Sequence, residues 1–133
     1  MHRLGGNKLV EKETQETIKK GNVKLVISGS PASAGEAVGV ARIAFDPIEA
    51  DKKMEDGDIL VTPMTSPDYT LAILKASAIV TNFGGILCHA ALVSRELGKP
   101  CVTGTKKATE VLKDGQRISV NGDKGEVYIL EGE

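Results

Sequence analysis

A glycine pair, a histidine and an arginine stand at a spacing that suits group transfer: Gly84-Gly85-Ile86-Leu87-Cys88-His89, with Arg95 six residues further on. A neutral imidazole keeps a lone pair on one ring nitrogen that can attack phosphorus. A hydrogen bond on the other nitrogen fixes the tautomer and the ring. The local elements favour that use. Ala78-Ile79-Val80 reads as a buried strand, the glycines as a turn, and the residues from about Cys88 as a helix with Ala91, Leu92, Arg95 and Leu97 at helical steps. Gly98 is placed as a C-terminal cap, and Pro100 stops the helix. His89 is therefore expected in a first helical turn, where free N–H groups and the positive end of the dipole favour an anion. Gly84 and Gly85 let a group approach the main chain. The segment from those glycines through Cys88 to the helix start is the expected phosphate cradle. A structural, hydrogen-bonded histidine is the alternative at this level.

The other elements bound what this loop can do. Ile59–Thr62 is a short buried strand, and Ser66-Pro67-Asp68 is a helix start whose serine caps, with Leu71, Ile73 and Leu74 on the apolar side. Thr65 at that second helix end is a candidate phosphate contact. Val23–Ile27 and Ala37–Phe45 read as strands joined by a turn-rich loop, Ser28–Gly35. Asp46–Asp58 reads as a charged surface connection. Cys101–Thr103 is another strand. Thr105 caps a helix through Leu112, and Arg117–Val120 and Glu126–Leu130 flank a hairpin turn at Asn121–Gly125. Strands and helices mix without strict alternation. Residues 1–22 read as an N-terminal extension with a helix over Lys8–Lys20, and 23–133 as the folded domain.

Composition excludes several classes. The 133 residues fit one domain, 41% hydrophobic but only 3% aromatic, so the core rests on aliphatic side chains. A formal net charge of -1 offers nucleic acid no attraction. No apolar run reaches the roughly 20 residues of a membrane span. The start of the chain has no apolar signal core, so a cytoplasmic location and reduced thiols are expected. There is no Gly-x-x-x-x-Gly-Lys loop for a nucleotide and no carboxylate cluster for Mg²⁺. Such a chain can carry a group but is not expected to complete a reaction cycle alone. A Cys88–His89 nucleophile is weak because adjacent side chains diverge, and zinc on Cys88, His89 and Cys101 lacks a paired-cysteine spacing. Cys101 reads as a small core residue.

The histidine loop resembles the phosphohistidine loop of the phosphoenolpyruvate (PEP)-utilising enzymes, such as PEP synthase and pyruvate phosphate dikinase. Gly84, Gly85, His89 and Arg95 match that loop. Gly29–Gly35, Asp56–Asp68 and Gly98–Thr105 look like further motifs of the family's mobile domain, in the family's order across roughly residues 28 to 131. The resemblance implies an α/β fold, a single swivelling β/β/α domain. It implies His89 as phosphoryl acceptor and Arg95 as a catalytic residue near the phosphate. Six residues along a helix do not share a face, so Arg95 is also open to acting in a partner's site or pairing with a surface carboxylate. The loop departs from the family at Leu87, where many members carry threonine, and at Asn82, where aspartate is common. The expected role is a stand-alone phosphohistidine carrier, the mobile subunit of a phosphotransferase. It would serve separate nucleotide-binding and PEP/pyruvate-barrel partners, which hold Mg²⁺ and ATP or PEP, and would bind no cofactor itself. Initial Met1 is taken to favour this over a fragment of a larger enzyme. A non-catalytic interaction or regulatory module with the same fold is the alternative.

Overall fold

The computed structural model describes residues 23–130. The expected N-terminal extension and its helix lie outside these residues. Eight strands form one mixed sheet: β1 (Val23–Ser28), β2 (Ser30–Ser33), β3 (Glu36–Ile43), β4 (Ile59–Thr62), β5 (Ala78–Thr81), β6 (Cys101–Thr103), β7 (Arg117–Asn121) and β8 (Glu126–Leu130). Their order is β1-β8-β7-β3-β4-β5-β6-β2. From β3 to β6 neighbours run parallel; the remaining pairs are antiparallel. Among the described residues there are also four short helices: α1 (Pro47–Lys53), α2 (Thr70–Lys75, entered through a 3-10 turn at Pro67–Tyr69), α3 (His89–Leu97) and α4 (Ala108–Val111).

The layering follows from burial. β4 and β5 are buried at every position, as strands covered on both faces must be. Their period-two alternation divides them between two cores. Leu60 and Ile79 join Ala50, Met54, Ala72, Ile73 and Ala91 under helices α1, α2 and α3. Ile59, Val61, Ala78 and Val80 face Ile118, Val120 and Val127 of the β7–β8 hairpin, with Ala108 and Leu112 beside them. The result is a β/β/α stack, as the resemblance implies.

Three local expectations need correction. Ser28–Gly35 is not only a loop, because Ser30–Ser33 pairs with β6 as the last strand of the order, where Pro31 is tolerated. Asp46–Asp58 is not only a surface connection. Asp46 caps α1, its Oδ1 accepting from Glu49 N at 2.8 Å, and Pro47 stands in the first turn. The apolar side of α2 is Ala72 and Ile73 with Tyr69 before it, whereas Leu71 and Leu74 are exposed, and Ser66 makes no side-chain cap bond. Along the described residues strands and helices mix without strict alternation, as expected, and only the parallel part, β3-α1-β4-α2-β5-α3-β6, alternates. The hairpin turn and the αL cap at Gly98 stand where the sequence places them.

Candidate functional site: the histidine loop

The site lies on the loops after β4, β5 and β6. In parallel sheets the carboxyl ends of neighbouring strands open on the same side, so loops distant in sequence meet there. β5 and β6 pair Ile79 with Cys101, and β4 pairs Thr62 with Thr81. Residues 63–66, 82–88 and 104–107 are thereby gathered at one edge.

His89 is the first residue of α3, and Cys88 is its N-cap, without a side-chain cap bond. The early N–H groups of the helix are consequently not consumed by a capping side chain. Thr65 reaches His89 from the β4–α2 connection: its Oγ1 lies 2.8 Å from His89 Nδ1. Among the described residues Nε2 makes no hydrogen bond. Thr65, expected as a phosphate contact, therefore stands on the imidazole itself.

The two glycines are used differently. Gly84 has φ +111°, and a Cβ there would fall 2.7 Å from Cys88 Sγ, so a side chain is excluded by both backbone and neighbour. Gly85 needs no such conformation, and a Cβ on it would meet nothing within 4 Å. Its role is the open space above it. Cys88 is half-buried beside Gly84 and packs against the helix-side core.

Arg95 donates through its two terminal nitrogens to carbonyls, Ala32 O of β2 and Ile86 O of the histidine loop, each at 2.6 Å. These contacts to main chain replace the surface-carboxylate pairing. Asn82 is turned away from the imidazole: its Oδ1 accepts from Thr109 N at 3.1 Å, and its Nδ2 donates to Thr109 Oγ1 at 2.8 Å. It ties the loop to α4, so its difference from aspartate does not deprive the imidazole of a partner in this arrangement. Leu87 is 77% exposed, and Met64, Phe83 and Ile86 from the two loops at the site are also exposed. Cys101 is fully buried, and burial pushes its thiol up to about 12, which suits a core residue. Among the described residues no group of three or more His, Cys, Asp or Glu is arranged to hold a metal ion.

Sequence reasoning missed the threonines that end the parallel strands. Thr62 Oγ1 shares a hydrogen bond with Tyr69 Oη at 3.1 Å. Thr81 Oγ1 donates to Phe83 O at 2.7 Å, and Thr103 Oγ1 to Gly85 O at 3.3 Å. The signal was present as a repeated Val-Thr at the three strand ends: Val61-Thr62, Val80-Thr81 and Val102-Thr103.

Comparison with known proteins decides the family. The description "PEP-utilising enzyme, mobile domain" matches residues 54–125, just over half of the chain. The chain belongs to the PEP-utilising enzyme mobile-domain family. It is 50% identical over 119 residues to a probable phosphoenolpyruvate synthase of Archaeoglobus fulgidus, covering 89% of this chain and 16% of that protein. It is 47% identical over 118 residues to the phosphoenolpyruvate synthase of Pyrococcus furiosus, covering 89% and 14%. The mobile domain thus spans less than a fifth of the length of the curated relatives it matches. Among solved structures it is similar to Enzyme I (nEIt), with TM-score 0.53 and 25% identity over 61% of this chain and 34% of that one. The holo-form of Thermococcus kodakaraensis aconitase X, with TM-score 0.58 and 20% identity over 79% and 98%, shares the fold. This mobile domain is a swivelling β/β/α domain. No helix among its described residues is long and apolar enough to cross a membrane.

Proposed function

We propose that the chain is a phosphohistidine carrier in which His89 Nε2 accepts a phosphoryl group from one partner and yields it to another. The observation that carries this reading is the pairing of Thr65 Oγ1 with Nδ1, which leaves Nε2 as the free nitrogen at a helix start. In the reactive tautomer Nδ1–H donates to Thr65, and the Nε2 lone pair attacks phosphorus. The P–O bond to the donor breaks, and its electron pair leaves with the donor oxygen. The ring becomes a phosphoimidazolium whose Nδ1 keeps its proton and donates it to Thr65 Oγ1, and the phosphoryl oxygens lie near the unconsumed N–H groups. Return of the group reverses these steps.

The donor and acceptor are a nucleotide-binding partner and a PEP/pyruvate-barrel partner, which would hold ATP or PEP with Mg²⁺. The similarity to phosphoenolpyruvate synthases supports this assignment, as does the small share of their length that the chain spans. Partners are either separate subunits or further domains of one chain. Exposed Met64, Phe83, Ile86 and Leu87 would meet them around the histidine. Gly84 and Gly85 would admit the phosphoryl group to the main chain. Cys88 would contribute at the helix start, and Arg95 from α3. The rival reading, an interaction module without transfer, loses one of its supports because Asn82 lies on Thr109.

The test is protein recovered from its host without acid, which would cleave a phosphoramidate. Mass spectrometry should find one added phosphate on His89, absent in His89→Ala. An unmodified His89 under both ATP-rich and PEP-rich conditions, with a stable partner bound to either variant, would replace the carrier with the interaction module.

A further inference from the structure

The histidine loop holds its carbonyls from behind. Thr81 Oγ1 takes Phe83 O at 2.7 Å, Thr103 Oγ1 takes Gly85 O at 3.3 Å, and Arg95 takes Ile86 O at 2.6 Å. Gly84 O lies so near Gly104 that a Cβ there would be 2.9 Å away. Three of the four carbonyls of residues 83–86 thus accept from a side chain, Gly85 O also from Cys88 N at 3.3 Å, and Gly84 O packs against Gly104. The adjoining N–H groups differ. Among the described residues, those of Gly84, Gly85, Ile86 and Leu87 make no hydrogen bond. A peptide plane carries its C=O and N–H in opposite directions, so pinning the carbonyl of one residue aims the N–H of the next.

Arg95 is suited to this work because its planar fork bridges two acceptors. Ala32 O belongs to β2 and Ile86 O to the loop, so one side chain ties the loop to the sheet. The strand-end threonines sit in fully buried backbone and bring the same constraint from β5 and β6.

We infer that Arg95, Thr81 and Thr103 are positioning residues of the phosphoryl site. They fix the loop carbonyls so that its amides, not its oxygens, face the group on His89. The inference rests on the carrier reading above and assigns Arg95 a role different from direct contact with the phosphate. A freed carbonyl would turn a negative dipole end toward a phosphoryl dianion, and the matching N–H would be lost to it.

The test uses ¹⁵N-labelled full chain phosphorylated with phosphoramidate, which needs no partner. The donor's P–N bond breaks, ammonia leaves, and the P–Nε2 bond forms. Amide spectra are compared before and after for wild type, Arg95→Lys, Arg95→Met and Thr103→Val. In wild type the Gly85, Ile86 and Leu87 amides should move on phosphorylation. Arg95→Lys keeps the charge but cannot span both carbonyls, so it should lose about half or more of that response, as Arg95→Met does. Thr103→Val changes no charge and should lose part of it, chiefly at Ile86, with the hairpin amides unchanged in every variant. Full responses in Arg95→Lys and Thr103→Val, with loss confined to Arg95→Met, would overturn positioning in favour of direct charge contact. Full responses in all variants would also overturn it. Wild type that takes no phosphate on His89 would sink the carrier reading and this inference with it.

Discussion

In the β7–β8 turn, a Cβ on Gly122 would overlap the carbonyl oxygen of Ser33, and one on Gly125 would overlap that of Gly29. In the histidine loop, a Cβ on Gly85 would meet nothing within 4 Å. The hairpin glycines let the turn press against the β1–β2 and β2–β3 connections, where Gly29 N donates to Gly125 O at 2.8 Å and Gly122 N to Gly35 O at 2.7 Å. Packing the turn against these connections satisfies the backbone groups of Gly29, Gly125, Gly122 and Gly35 within the protein. Gly85 contributes nothing comparable to packing. The hairpin turn is filled at both glycines, whereas the histidine loop, pinned through its carbonyls and closed at Gly84, is clear above Gly85.

The contrast breaks most readily at Gly122. Gly122→Ala drives a methyl into fixed backbone and should cost more than about 3 kcal/mol, read as a lower chemical-denaturation midpoint or as loss of the folded chain. A midpoint near wild type would show that the hairpin can back away and that the comparison is wrong on that side.

Thr65→Val should leave stability within about 1 kcal/mol but slow phosphoryl uptake by roughly 10- to 100-fold, because the imidazole loses the partner that sets its tautomer. Phosphoramidate uptake followed by ³¹P spectroscopy measures this. Uptake at the wild-type rate would mean that Thr65 does not orient the ring. Gly85→Ala, by the same measurement, should slow uptake while moving the unfolding free energy by no more than about 0.5 kcal/mol. A large stability loss there would erase the distinction between the two turns.

The smallest effect concerns pH and falls on the hairpin side. Tyr128 Oη donates to Glu126 Oε1 at 2.5 Å, and that carboxylate, with burial, pushes the Tyr128 phenol up from 10.0 to about 12. Between those values the folded chain holds a proton that the unfolded chain has released. The contribution is therefore complete below pH 10 and is lost as pH rises toward 12. Tyr128→Phe should flatten part of the fall in stability over that window. An unchanged slope would place the loss on other groups, among them Cys101, whose raised thiol acts in the same direction.

Local signals were legible where they were self-contained. The αL turn at Gly98, the stop at Pro100 and the hairpin at Asn121–Gly125 each depend on neighbouring residues. His89 at the head of α3 was legible for the same reason. Cap chemistry was less even. Asp46-Pro47 reads as surface in sequence but carries a true side-chain cap, and Ser66-Pro67 reads as a cap but lacks the side-chain bond. Aspartate and serine offer similar acceptors, and only the backbone geometry around each decides between them. Contacts made across the sheet were not legible at all. Arg95 meets Ala32 across 63 residues, and Thr103 meets Gly85 across 18, because β2 and β5 both flank β6. No periodicity within one segment encodes such a pairing. Lys99 is a further case: it donates to the carbonyls of Ile73, Leu74 and Ala76 and closes α2 from outside its own segment.

On the proposed carrier reading, Thr65 reserves Nε2 of His89 for phosphorus. The most direct measurement phosphorylates chain carrying ¹⁵N-labelled histidine and reads which ring nitrogen couples to ³¹P. The arrangement predicts coupling to His89 Nε2, with Nδ1 still protonated against Thr65. Phosphate on Nδ1, or on a residue other than His89, would contradict it.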